Sequence, residues 1–412
     1  MNRGIETFKR KRKGSPIGDL NTKNCSSGII AGIFVITGPS ALILEAASNG
    51  NFTNEQTFLW MFSVYVFGGI LGIILPLYYK IPIVGGHSLT GVAFLATMTH
   101  QFTFHELIGA YMLSGIVMLL IGSIGVFTKL INLVPKAIIS AMLAGMITKY
   151  MVNFVVSINE LLLVGLASLV TFFLLSRWQT RVPPVIAAIV VGFMMLILFY
   201  PLSSPEVTTG AFLPQFQVPE FNIVSFISIS IPLALIILSN DAAVAIGALE
   251  QNNYRAPVNK LISVGGLFSI LSSLFGGQSA NVAGMATVIC SGEDAGPKEK
   301  RYMGAIVAGI LLFIFGLLSW KLIPLIQTLP NEFISIIVGF SLLGVFGNSL
   351  NQSFSTPSMK ISTAFAYIIA LSNISIFNIS APLCSLLVGT LIARYIEKAS
   401  LNDAKQKGKR TA

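Results

Sequence analysis

The stretch GGHSLTGVAFLAT runs from Gly85 to Thr97, and a second stretch, GGQSANVAGMAT, runs from Gly276 to Thr287. Each opens on two glycines, a polar residue and a serine. Each then carries Val-Ala and, two residues later, Ala-Thr. Almost half the chain lies between them, which points to an internal duplication. The apolar run behind each glycine pair is about a dozen residues, roughly 18 Å of helix. That is too short for a hydrocarbon layer of about 30 Å. The residues that lead in, KIPIVGG and SSLFGG, suit extended backbone. The phrases read as two half-helices, each reached through a non-helical segment.

Composition supplies the bilayer. Of 412 residues, 54% are hydrophobic and only 10% charged, against roughly 25% charged in a soluble domain. Runs such as LLLVGLASLVTFFLL do not alternate as barrel strands would. The chain therefore reads as an all-α polytopic membrane protein. Helices are predicted at Gly28–Ala46, Thr57–Tyr79, His87–Met98, Leu107–Thr128, Pro135–Phe154, Leu161–Leu175 and Pro184–Phe199. A second set is predicted at Ile223–Leu249, Val258–Leu274, Gln278–Cys290, Met303–Ile323, Phe333–Ser349, Ile361–Ser372 and Ser380–Ile396. The polar stretch PLSSPEVTTGAFLPQFQVPE separates the sets. The expected organisation is a basic tail at 1–26, a first seven-helix repeat at 27–201, a connecting loop at 202–221, a second repeat at 222–396 and a second basic tail at 397–412.

Charge tests this count. With both termini cytoplasmic, all but two of the 26 Lys and Arg fall on the cytoplasmic side, the exceptions being Lys149 and Lys321. Seven is odd, so the second set runs opposite to the first. Inverted repeats with broken helices around a central site are characteristic of secondary transporters. The start of a half-helix leaves N–H groups unpaired and carries partial positive charge, which a bound anion or polar solute satisfies. Ser88 and Ser279 are placed to cap such a helix or to meet a ligand.

The net charge of +10 is concentrated in tails such as KRKRK and KQKGKR. Flanking an apolar body, these mark a cytoplasmic membrane face rather than a nucleic-acid site. The first apolar run follows some two dozen polar residues and is long enough to span, so no cleaved signal peptide is expected. Cys25, Cys290 and Cys384 are scattered and read as packing residues. No HExxH, phosphate loop or Cys/His cluster is present. The chain is not expected to be an enzyme, to hold a metal or to need a cofactor.

Charges within the bilayer are informative because they are costly. Asp241, preceded by Ser239 and Asn240, is the most deeply placed and is the candidate for carrying a coupling proton. His87 is suited to hydrogen-bond substrate. Pro39 disrupts the first helix and frees a carbonyl that packing or a ligand must satisfy. Glu45 is expected to be solvated at a helix end, and Lys149 to snorkel to the outer interface.

The segment LEQNNYRAPVNKLISVGGLFSILSSLFGGQSANVAGMATVICSGEDAGPKEKRYMGAIVAGI (Leu249–Ile310) resembles the benzoate–proton symporter family. So do YYKIPIVGGHSLTGVAFLAT (Tyr78–Thr97) and GIIAGIFVITGPSALILEAA (Gly28–Ala47). The resemblance covers the membrane part without the tails. It implies the seven-plus-seven inverted-repeat fold shared with uracil/xanthine permeases and sulfate permeases, with core and gate domains. It also implies a site between the third and tenth helices, lined by His87, Ser88, Asn240, Asp241, Gln278, Ser279, Ala280 and Asn281. Where the family pattern has Trp, Pro, an amide and an aromatic residue, this chain has His87, Thr90, Asp241 and Gln278, a more polar and acidic set.

The leading functional expectation is a proton-coupled symporter of a small organic acid or aromatic compound in the cell (inner) membrane. Its partners would be substrate, protons and lipid, and a homodimer is compatible with the class. A nucleobase permease is the alternative within the class, and an anion channel the alternative outside it. The charge distribution carries a topological prediction. A cysteine at Thr208 should react with an impermeant reagent from outside and one at Ser400 only from inside. Reaction of both from one side would refute the fourteen-segment count.

Overall fold

The computed structural model describes residues 16–127, 134–178, 183–200, 213–372, 374 and 381–397. The basic tails, Thr208 and Ser400 lie outside the described residues. Among the described residues, the first half contains α1 (Thr22–Asn49), α2 (Asn54–Tyr79), α3 (Leu89–Ala96), α4 (Phe104–Ile124), α5 (Lys136–Glu160), α6 (Leu162–Trp178) and α7 (Pro184–Phe199). The second half contains α8 (Ile223–Gln251), α9 (Val258–Ser273), α10 (Gly284–Ser291), α11 (Tyr302–Gln327), α12 (Asn331–Phe354), α13 (Lys360–Ser372) and α14 (Ala381–Ile396). Seven of the described helices are long and apolar enough to cross a membrane.

The packing repeats under exchange of the halves. In the core bundle α2 lies along α11, and α4 lies along α9, which is the same contact with the halves exchanged. In the gate bundle α5 packs against its own counterpart, α12, while α6 pairs with α7 and α13 with α14. Core (α1–α4, α8–α11) and gate (α5–α7, α12–α14) therefore each draw on both halves. Exposed apolar side chains on α6 and α7, such as Val170, Phe173, Met194 and Leu198, form a surface suited to lipid rather than water.

Helix starts follow local chemistry. Asn21 and Asn24 form a reciprocal capping box, so α1 begins at Thr22, ahead of the expected Gly28. Thr53 with Gln56 and Thr103 with Glu106 do the same for α2 and α4. Near the start of α1, the Asn24 side chain donates to the Lys300 carbonyl at 3.0 Å, and Tyr302 donates to Asp19 at 2.8 Å.

The two half-helices are the eight-residue α3 and α10. Before each, the chain is extended, and the extended pieces pair. The strand β1 (Gly85–Gly86) runs antiparallel to β2 (Asn281–Val282), with Gly85 opposite Val282 and Gly86 opposite Asn281. Beside it the Ala283 N–H donates to the Val84 carbonyl at 2.8 Å, and the Val84 N–H to Thr287 Oγ1 at 3.2 Å. One expectation is corrected here. Helix α10 starts at Gly284, not at Gln278, because Gln278–Val282 is drawn out to make this pairing. α3 begins three residues after Gly86, whereas α10 begins seven after Gly277. The repeated words therefore stand out of register with the repeated structure.

The pairing fits only because the backbones touch. A Cβ on Gly85 would collide with the backbone of Gly68 and Gly72 in α2. Gly85→Val should force β1 off α2, at a cost on the order of 3 kcal/mol or more. Loss of monodisperse protein in detergent is expected for Gly85→Val. Gly344→Ala, where an added Cβ meets nothing within 4 Å, should behave as wild type.

Candidate functional site

A cavity of about 120 Å³ lies where α3 and α10 begin. Leu89 and Thr90 in the first turn of α3 and Gly284, Met285 and Ala286 in the first turn of α10 border it. N–H groups at these positions have no acceptor within their own helix and carry the positive end of its dipole. Phe34, Val35 and Pro39 of α1 form an apolar wall, and α12 closes the gate side with Val345, Asn348, Ser349 and Gln352. Asn348 and Gln352, in the last turns of α12, are exposed, so the cavity opens toward the face where α1 begins. The face where α1 ends is called the second face below.

Helix α8 brings Asn240 and Asp241 to this cavity through a widened turn. Pro232 has no N–H, and around it Phe226–Ser230 is π-helical, with Ile231 bonding five residues back to Phe226. A second π segment spans Ile237–Ala242, where Ala243 bonds five residues back to Leu238. Such turns displace side chains from the ordinary helical register and often occur at functional sites. The Asn240 amide donates to the Ile236 carbonyl at 3.3 Å and to Ser239 Oγ at 3.2 Å. Asp241 is half-buried on the cavity wall, and its Oδ2 has no hydrogen-bond partner. The Ser88 hydroxyl lies beside it. Gly284 lets α10 start directly against α8, since a Cβ there would stand 3.0 Å from the Asp241 carbonyl oxygen.

The remaining expected residues divide. His87 borders the cavity, is 3% exposed and has no partner at either ring nitrogen. Its ring stands edge-on to Tyr65, 4.9 Å between centroids. Ser88 caps α3, accepting from the Gly91 N–H at 2.9 Å, while its own N–H donates to Ser279 Oγ at 3.3 Å. The serines of the two phrases therefore meet. Gln278, Ser279, Ala280 and Asn281 are fully or almost fully buried and do not border the cavity. Gln278 Oε1 accepts from Trp60 Nε1 at 2.5 Å, and Ala280 N–H donates to Ser269 Oγ at 3.1 Å. These bonds hold the extended segment behind the cavity, so the wall expected at 278–281 is formed instead by Ala283–Ala286.

Pro39 frees the Val35 carbonyl as expected. The Tyr65 hydroxyl reaches that oxygen at 3.4 Å and the Ile36 carbonyl at 3.2 Å, so packing supplies the missing donor. Glu45, expected to be solvated, is half-buried in crevices on the second face. The α12 residues carried no signal in the sequence, because polar residues in the last turns of a helix look like ordinary interfacial ones.

The fold resembles the transmembrane domain of a cyanobacterial bicarbonate transporter, BicA, with a TM-score of 0.58 at 17% identity, covering 89% of this chain and 97% of that one. It also resembles a murine Solute Carrier 26 family anion transporter solved in its inward-facing state, with a TM-score of 0.57 at 12% identity, covering 94% and 73%. Among sequence relatives, the Escherichia coli inner membrane protein YdcO is 27% identical over 365 residues, 88% of this chain and 93% of that protein. A benzoate membrane transport protein of Acinetobacter baylyi is 23% identical over 366 residues, 89% and 93%. The family model described as benzoate membrane transport protein matches residues 18–395. With a broken-helix cavity at its centre and that match over nearly its whole length, this multi-pass membrane protein belongs to the benzoate membrane transport protein family and is a transporter.

Proposed function

We propose that this transporter is a symporter that carries a small organic acid or aromatic compound of the benzoate type together with a proton. In this reading it lies in the cell's inner membrane with both termini cytoplasmic. The observation that carries the reading is Asp241, an intramembrane carboxyl with an unpartnered oxygen, beside two helix N-termini on a cavity of about 120 Å³. An apolar cavity of roughly 150 Å³ admits benzene, so the space suits one ring. Phe34, Val35, Pro39, Leu89 and Val345 suit its faces. The α3 and α10 N-termini suit a carboxylate.

An ionised Asp241 would repel that carboxylate. Substrate binding and protonation of Asp241 therefore favour each other, which is the linkage a symporter needs. His87 and Asn240 are left to orient the substrate by hydrogen bonds. The unpartnered Asp241 Oδ2 also supports a second reading, in which an uncharged heteroaromatic ring of the nucleobase kind donates an N–H to it. A channel would need a continuous polar lining. Val92, Ala93, Phe94 and Leu95, further along α3 toward the second face, are fully buried and apolar.

Two expected outcomes follow from this geometry. In proteoliposomes, Asp241→Asn should keep substrate exchange and lose accumulation driven by an imposed pH gradient, down to the level of protein-free vesicles. Undiminished gradient-driven accumulation would exclude Asp241 as the proton carrier. Comparing benzoate-type acids with uncharged purines and pyrimidines separates the two substrate readings. Val345→Trp, at a half-exposed position of α12, should fill the cavity with folding intact. Uptake and thermal stabilisation by ligand should then vanish together, and normal uptake would place the site elsewhere.

A further inference from the structure

The second face carries two crevices separate from the cavity. One, of about 310 Å³, lies between α1 and α3 of the core and α5 and α13 of the gate. The other, of about 430 Å³, lies among α1, α2 and α12. Glu45 of α1 lines both, four residues before the helix ends. It stands where core and gate part, on the side away from the cavity mouth. Lys149 of α5 is exposed and faces Glu45 from the gate side of the first crevice, which both residues line. Tyr150 lies on the same wall, and His100, just after α3, lines the core side. A half-buried carboxylate is costly unless it is compensated. By the charge distribution along the chain, Lys149 is one of only two basic residues assigned to this side.

We infer that Glu45 and Lys149 form a charge latch between core and gate, which holds the second face shut while the cavity is open to the first. The residues sit on elements of different bundles, so any motion that opens the second face must separate them. Closed, they attract across the shared crevice, where half-buried Glu45 is screened by water less than it would be in bulk. Open, each is solvated. Solvation offsets most of the lost attraction, so the latch biases the two states only modestly, by roughly two- to fivefold, as partly exposed ion pairs do. A modest bias suits a transporter, because a stronger latch would trap one state. The inference rests on the transport reading only in requiring two access states, and it is independent of the cargo.

The test measures access, not uptake. Thr90→Cys, on the cavity wall, is placed in a background carrying Cys25→Ser, Cys290→Ser and Cys384→Ser. Labelling by an impermeant maleimide is timed from each face of the reconstituted protein. Glu45→Gln and Lys149→Gln should each raise the ratio of second-face to first-face labelling rates roughly two- to fivefold. Glu45→Lys combined with Lys149→Glu should return both rates to the parent values. Unchanged rates in both single variants would overturn the inference. So would a swapped variant as fast as the singles, or faster labelling from both faces at once, the mark of a loosened fold.

Discussion

Where Val84–Gly86 meets Asn281–Ala283, two segments give up helical hydrogen bonding in the buried interior of the bundle, where no water is on hand to replace it. The antiparallel pairing of Gly85 and Gly86 with Val282 and Asn281 supplies part of what is lost. Much of the remaining structure can be understood from that constraint. The pairing must be buried, so α2 presents Gly68 and Gly72 and lets β1 lie on bare backbone. The flanking polar groups need partners, so Thr287, Ser269 and Trp60 turn inward to Val84, Ala280 and Gln278. Residues that look like binding groups in the sequence are in part the scaffold of this crossing.

A short paired segment also aims the helices that leave it. Strands in antiparallel register send α3 and α10 away in opposite directions, with their first turns close together. Two positive helix ends then border one small cavity. Asp241 is brought against them by a π turn in α8, at a point where Gly284 lets two backbones approach closely. A carboxyl among positive ends, facing a space the size of one ring, can link the charge of a ligand to a proton. The chemistry comes from a few residues, and its geometry from unpaired backbone.

Movement is arranged around the same centre. The core carries the crossing, both half-helices and Asp241, while the gate contributes one wall through α12. Rocking of core against gate would change which face the cavity meets without disturbing the strand pairing. Glu45 and Lys149 lie on that boundary at the end away from the cavity mouth, where a weak attraction has the most influence on the balance between states.

The number of apolar runs, their division into two sets of seven and the opposed orientation of the sets follow from the sequence alone, because hydrophobic length and loop charge are local properties. The break at each glycine phrase follows too, since a dozen apolar residues fall short of a bilayer. Pro39, His87, Asn240 and Asp241 are likewise legible, because a proline or polar group in an apolar helix is conspicuous wherever it packs. The register of the crossing is not legible. The shared words suggest that Gln278 matches His87, yet pairing stretches Gln278–Val282 and delays α10 to Gly284. Nor does the sequence reveal that Ala283–Ala286 form the wall, that Tyr65 answers the carbonyl freed by Pro39, or that α12 closes the cavity. Those relations join residues far apart in the chain, and they depend on which backbone groups find partners once helices have packed. Only the tertiary structure decides that.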